Sequence, residues 1–398
     1  MPPVTAERDA LDQIAHEAIA HLASFERPSA SDGERRAADW IAARLRAEGL
    51  PARVEEERAH GTYWWPLGVA AAAAGLAALS RSRTLQTLAG TFSAAAIADD
   101  VSGGRLWFRR AALPRHPTYN VIAQVGDDDA PRTVVFVAHH DAAHWSLLFA
   151  PQIPEWFGTR FPRTLERADT TPPLMFPVVG GPLLVALGGL TGSRALRRAG
   201  ALLSLFTTAA MAEIGSRSTV PGANDNLSGV AVLLGLARLL REQPVPRVRV
   251  LLLSTGSEES FMEGMQAFAA RYFDALPVSS TAFVCVDTVG SPDLMMLEGE
   301  GMLVMRDYDA AFKELVADCA REAGVQLRRG LRFRYATDGL LALKAGYRAA
   351  MIGSINRFKA PANYHWPSDT AENVDYSTVT DATLLCDAIA RRIAAEPA

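Results

Sequence analysis

Val134-Val135-Phe136-Val137-Ala138-His139-His140-Asp141 is the stretch on which the fold turns. Five apolar residues with β-branched character predict a short strand buried on both faces, as in a parallel sheet covered by helices. The run stops on two histidines and a carboxylate. Two other runs share that shape. Val248-Arg249-Val250-Leu251-Leu252-Leu253 leads through Ser254-Thr255-Gly256-Ser257 to Glu258-Glu259, and Ala282-Phe283-Val284-Cys285-Val286 ends on Asp287. A further strand is expected over 348–353. Helical patterns fall at 5–24, from Ser31-Asp32 to Gly49, and at 228–241, 262–274, 309–323 and 377–394. Helix alternating with strand predicts an α/β domain with a mixed, mostly parallel central sheet flanked by helices.

The composition agrees. Of 398 residues, 49% are apolar and 21% charged, enough for a sizeable core and unlike a disordered chain. Forty Lys and Arg against 44 Asp and Glu give a formal charge of −4, which removes the electrostatic case for nucleic acid as a partner. Cys285, Cys319 and Cys386 form no disulfide framework and no metal-type spacing. The stretch from Met1 to Asp9 lacks a basic segment followed by an apolar run, so no cleavable signal peptide is expected.

Four stretches carry no charge: 61–80, 84–98, 170–193 and 199–212. They fall into two pairs, joined by links that hold Arg81 and Arg83 in the first and Arg194, Arg197 and Arg198 in the second. The organisation predicted is a discontinuous body (1–60, 100–169 and 214–398) with two apolar helical hairpins inserted at 61–99 and 170–213. A membrane-spanning helix needs about 20 apolar residues. Two stretches approach that length and two are short, and the first pair is rich in Ala, which inserts weakly. Membrane association through residues 61–98 and 170–212 is the favoured reading, on a side left open. The rival is a soluble, cytoplasmic chain whose hairpins are buried against the body or against a second copy, a homo-oligomer through the same surfaces.

The polar residues at the strand ends carry the chemistry. In open α/β sheets ligands bind outside the carboxyl ends of the strands. That rule gathers His139, Glu258-Glu259 and Asp287 at one edge. It adds Asp225 from Pro221-Gly222-Ala223-Asn224-Asp225-Asn226 and His365 from Asn363-Tyr364-His365-Trp366. Histidines with carboxylates suit a divalent metal, Zn²⁺ first. His139, Asp225, Glu259, Asp287 and His365 are too many for one tetrahedral ion. They suit two ions that share a carboxylate, a hydrolytic arrangement. Glu258 is left over as general base and acid. Asp141, two positions after His139 on an extended segment, shares its face and can hold its ring. His140 points the other way; His16, His21, His60, His116 and His144 have no supporting constellation.

Taken together these stretches resemble the M28 family of zinc peptidases, the co-catalytic aminopeptidase type. The resemblance rests on Ala138-His139-His140-Asp141, Gly222-Ala223-Asn224-Asp225-Asn226-Leu227-Ser228-Gly229, Glu258-Glu259, Val286-Asp287, and Tyr364-His365 with Ser368-Asp369-Thr370. It covers roughly 8–58 and 115–395 outside the hairpins. It implies that Asp225 bridges two zinc ions, that His139 and Asp287 complete one, and that Glu259 and His365 complete the other. Glu258 would be the base, Asp141 would orient His139, and a cis peptide would follow Asp225. The activity implied is a zinc-dependent exopeptidase, an aminopeptidase acting on peptides. The alternatives are a carboxypeptidase or glutaminyl cyclase on the same scaffold, or a non-catalytic membrane receptor or scaffold. Ser260-Phe261-Met262-Glu263-Gly264 departs from the family's commoner Gly-Leu-x-Gly-Ser, and Thr337-Asp338-Gly339 lacks the histidine of the family's Ser-Asp-His.

Overall fold

A computed structural model of the chain describes residues 4–396. Its strands are β1 (Ala52–Ala59), β2 (His116–Val125), β3 (Arg132–His139), β4 (Val248–Thr255), β5 (Thr281–Val286), β6 (Asp293–Glu300), β7 (Arg306–Asp307), β8 (Arg328–Phe333) and β9 (Arg348–Ile355). The helices are α1 (Val4–Leu22), α2 (Asp32–Ala47), α3 (Trp64–Leu79), α4 (Arg83–Val101), α5 (Trp107–Ala112), α6 (Gln152–Arg160) and α7 (Pro162–Arg167). They continue with α8 (Met175–Thr191), α9 (Arg194–Gly215), α10 (Ser228–Glu242), α11 (Glu263–Tyr272), α12 (Ala310–Glu322), α13 (Gly339–Lys344) and α14 (Tyr376–Ala395).

One mixed sheet runs in the order β1-β2-β4-β3-β5-β9-β6-β7, with β8 also paired to β6. Its centre, β4-β3-β5-β9, is parallel throughout, and antiparallel pairing is confined to the flanks. In register, Val135 lies between Leu251 on β4 and Phe283 on β5. The period of two divides the strand between two cores. Val134 and Phe136 join Ile19, Ile41, Leu236 and Leu385 on one face, and Val135 and Val137 join Met265, Phe268, Phe283 and Tyr347 on the other. A strand covered on both faces needs apolar residues at every position, which is why β3 and β5 read as continuous runs.

The uncharged segments form α3, α4, α8 and α9. α3 joins α4 through Ser80-Arg81-Ser82, and α8 joins α9 through Gly192-Ser193, with Arg194, Arg197 and Arg198 in the first turns of α9. α3 packs on α4 and α9, and α8 packs on the same two, so the four close a ring. The guanidinium of Arg83, at the start of α4, donates to the carbonyls of Gly189 (2.9 Å) and Leu190 (2.7 Å) at the end of α8, so both turns lie at one end of the bundle. Among the described residues no helix is long and apolar enough to cross a membrane. Length excludes α3, at 16 residues, and α8, at 17, while α4 and α9, at 19 and 22, are long enough but too polar.

Candidate metal centre

The parallel centre of the sheet brings its strand ends together. His139 is the last residue of β3, Asp287 follows β5, and Glu258-Glu259 follow β4 after one turn. Asp225 sits in the turn 223–227, where Asp225 and Asn226 leave helical geometry and the bond between them is cis. The flanking amides attach that turn to the end of β5. Asn226 donates to Val286 O (2.9 Å), and its side-chain oxygen accepts from Thr288 N and Gly229 N. Asn224 Oδ1 accepts from Gly290 N (2.7 Å). The two asparagines thereby place Asp225 beside Asp287.

The carboxylate of Asp225 has two distinct sides. Oδ1 lies 3.2 Å from His139 Nε2, and that nitrogen is 3.9 Å from Asp287 Oδ2. Oδ2 lies 3.1 Å from His365 Nε2, which is 3.3 Å from Glu259 Oε2. Nitrogen or oxygen donors of His139, Asp225 and Glu259 all fall within 4.8 Å of one another. The structure thus brings the five sequence-predicted ligands together, with Asp225 between a His139–Asp287 pair and a His365–Glu259 pair.

The donor set fits divalent metal. Burial and neighbouring acids push Glu258 and Asp287 well above the usual carboxylate range and raise Glu259 too. Burial would also raise Asp225, but hydrogen bonds from His139 and His365 pull it below its ordinary value. Burial opposes charge on His365, yet Glu259 and Asp225 push it up to about 10. Four carboxylates around two imidazoles leave excess negative charge, which cations would neutralise. Glu259 Oε1 is buried without a hydrogen-bond partner, a free donor for such an ion.

Asp141 does more than its expected task. Its Oδ1 is 3.4 Å from His139 Nδ1 and its carbonyl 3.3 Å from the same nitrogen. It also accepts from Glu258 N (3.0 Å) and Glu259 N (3.1 Å), which fixes the turn that presents both glutamates. His140 turns away to Ser254 Oγ (2.9 Å), and burial lowers it to about 3. Several supports escaped the sequence reading. Arg27, fully buried, donates to the carbonyls of His140 and Pro221 and so joins the loops before and after the bundle helices α8 and α9. Glu34 accepts from Thr118, Tyr119 and Ser257. Asp369 accepts from the backbone of Asn224 and Asp225. Only Asp369 had a signal, its place in Ser368-Asp369-Thr370. Asp338 accepts from Thr255 Oγ1 and is pushed up by burial to about 7.

Two adjoining cavities, of about 90 and 40 Å³, open on the cluster and share Glu258, Glu259, Tyr335, Tyr364 and His365. The larger has apolar walls: Tyr63, Phe149, Met175, Phe261 and Met302. Tyr63 and Met175 stand at the roots of α3 and α8. The departing segment 260–264 anchors that first root. Buried Glu263 accepts from His60 N and Gly61 N, and Phe261 stacks on Tyr63 at 4.7 Å.

Fold and site together define a metal-dependent hydrolase: a parallel-centred α/β sheet with carboxylates and histidines at its carboxyl edge. More particularly, the chain resembles the M28 metallopeptidases: its residues 209–390 match the family described as Peptidase family M28. Solved structures share the fold at low identity. One is a Zn-dependent exopeptidase from Parabacteroides distasonis (13% identity, 95% of this chain and 97% of that one, TM-score 0.55). Another is a leucine aminopeptidase precursor from Bacteroides thetaiotaomicron (14%, 96% and 96%, 0.56). A third is a glutaminyl cyclase from Bacteroides thetaiotaomicron bound to N-acetylhistamine (14%, 96% and 97%, 0.55).

Proposed function

We propose that the protein is a zinc-dependent aminopeptidase with two co-catalytic ions, removing N-terminal residues from peptides. The observation that carries this is the two-sided placement of Asp225, with one oxygen toward His139 and Asp287 and the other toward His365 and Glu259. Zinc held there would supply an activated water and polarise the scissile carbonyl. Glu258 takes the proton from that water and passes it to the leaving amine. Asp141 holds His139 and the glutamate turn in place. The apolar cavity beside Glu258 and Glu259 receives the side chain of the N-terminal residue, which favours Leu, Met and Phe over charged residues.

Arg334 favours a second reading. It lines the same cavity, has no ion pair among the described residues, and could take a C-terminal carboxylate as in a carboxypeptidase. One experiment separates them: zinc-loaded protein is given aminoacyl nitroanilides, N-blocked dipeptides with free C-termini, and N-terminal glutaminyl peptides, with zinc counted by elemental analysis. Two zinc ions per chain and turnover of leucyl nitroanilide are expected. Cleavage of the blocked dipeptides alone would move the assignment to a carboxypeptidase. One ion with cyclisation of glutamine would move it to a cyclase.

A further inference from the structure

The ring of α3, α4, α8 and α9 is built inside out. A helix bundle in water turns its large apolar side chains inward and charge outward. Here the interior is small and polar. Gly90 and Gly200 meet the backbone of α8, while Gln86, Ser93, Ser204 and Thr207 are buried, the Ser93 and Ser204 hydroxyls without a partner. The large residues face out: Leu79 is 69% exposed, Leu88 65%, Leu190 65% and Leu202 71%. Among the described residues, fourteen of the twenty-four exposed large apolar side chains sit on these four helices. All but two of the rest are Trp107 or lie on the 147–174 segment that leads into α8. Close packing through small residues with bulky residues outside is the arrangement of helices in lipid.

The surface also says what covers it. Because the helices close a ring, their outer stripes point in four directions: Trp65 to Leu79 on α3, Leu85 to Phe92 on α4, Phe176 to Leu190 on α8 and Leu202 to Phe206 on α9. A second copy of the chain would cover one or two of these faces and leave the others in water. The middle of the bundle has no charged side chain on any face. Charge returns at the tip, where Arg81, Arg83, Arg194, Arg197 and Arg198 collect without an acidic residue in either uncharged pair. Aromatic residues gather at the other end, Tyr63-Trp64-Trp65 where α3 begins, and Trp107, past the end of α4, reaches back to Phe92 midway along it (ring centroids 5.1 Å apart). Cations beyond an apolar sheath, with Trp and Tyr at its margin, match the two polar layers of a bilayer.

We propose that this bundle is immersed as a unit in the acyl layer of a lipid bilayer, its arginine tip reaching phosphate and its aromatic root at the near surface. No helix of the bundle meets the length and apolarity of a span by itself, so the insertion is that of the four-helix unit; its sheath along α3 is about 24 Å long at 1.5 Å per residue, short of a typical hydrocarbon core of about 30 Å. Local thinning and arginine snorkelling take up a difference of that size. Since Tyr63 and Met175 at the bundle's root line the substrate cavity, immersion holds that cavity at the membrane surface. The proposal rests on the bundle and is independent of which bond the metal centre breaks.

The test uses the full chain, mixed with phosphatidylcholine vesicles carrying an acyl-chain photoprobe and separated by flotation. Wild type should float and take label on the outer leucines of the bundle. A quadruple variant with one charge per helix (Leu76→Glu, Leu88→Glu, Leu187→Glu, Leu202→Glu) should show an at least tenfold smaller floating fraction. All four positions are exposed, so its unfolding temperature and zinc content should match wild type. Should the variant misfold, the map of label on wild type decides alone. The proposal is overturned if wild type stays in solution as a detergent-free monomer, or takes no label on the bundle. It is equally overturned if wild type forms detergent-free oligomers that the four glutamates dissociate, which would assign the surface to a second copy.

Discussion

Glu258 is held through its backbone rather than its carboxylate. Its N–H donates to Asp141 and its carbonyl accepts from Met262 N (2.6 Å), which leaves the side chain to line the cavity at the cluster. A carboxylate held in this way can be neutralised without loosening its loop. Glu258→Gln should lower kcat by about 10²- to 10⁴-fold with zinc content unchanged, read by turnover and elemental analysis on one preparation. Retained activity would remove Glu258 from the base's role. The clustering of the seven candidate residues was legible because each stands at a strand end or in a turn rich in donors. Their supports were not. Arg27 acts through carbonyls of loops more than a hundred residues away in sequence, and Glu34 through five hydrogen bonds that no local pattern encodes. A contact defined by tertiary packing leaves no periodic trace.

The same contrast holds for whole elements. The central strands were legible because burial on both faces makes their sequences continuously apolar, and the long helices because their periodicity and caps agree. Ser31 caps α2 as expected, accepting from Glu34 N at 3.2 Å. Strands β1, β2, β6, β7 and β8 were not read. Ala52-Arg53-Val54-Glu55-Glu56-Glu57-Arg58-Ala59 alternates poorly and is heavily charged, as befits an edge strand whose outer rim faces water. Within the bundle, glycine sets helix separation. A Cβ on Gly90 would stand 2.5 Å from Ala186 N and 2.7 Å from Pro182 O, both backbone atoms of α8 that cannot swing aside. Gly90→Ala should therefore lower stability by about 1–3 kcal/mol, less the gain in helix propensity, while turnover per folded molecule is kept. A thermal melt at or above wild type would show that α4 and α8 separate freely.

At the scale of the molecule, buried acids make stability depend on pH, and Glu300 shows how. It accepts from Tyr308 and from both Thr337 N and Oγ1, far from the metal cluster in role, and burial pushes it up to about 7 from 4.5. A raised carboxyl pKa means that the folded state holds the proton more tightly than the unfolded state. Its contribution is complete below pH 4.5 and is lost as pH rises through about 7. The shift corresponds to at most about 3 kcal/mol. Glu300→Gln keeps the neutral form at every pH. Wild type should compare best with this variant near pH 4.5 and worst above pH 7, as read by denaturant melts across that range. A constant difference would place the ionised form in the fold.

Metal and fold are linked in the opposite sense, because ions would bind the assembled cluster and not the unfolded chain. Free zinc at a hundredfold excess over the dissociation constant stabilises by about 2.7 kcal/mol per site. The two-ion proposal, in which both sites share Asp225, makes the expectation asymmetric. Asp287→Asn touches one side of the cluster and should keep roughly half of the zinc-dependent rise in unfolding temperature. Asp225→Ala faces both sides and should abolish the rise altogether. Zinc-free Asp225→Ala should melt below chelator-treated wild type, since His139 and His365 both lose the buried carboxylate they contact. Equal zinc-dependent shifts in both variants would mean that Asp225 serves a single ion, and the two-sided geometry around its oxygens would then need another cause.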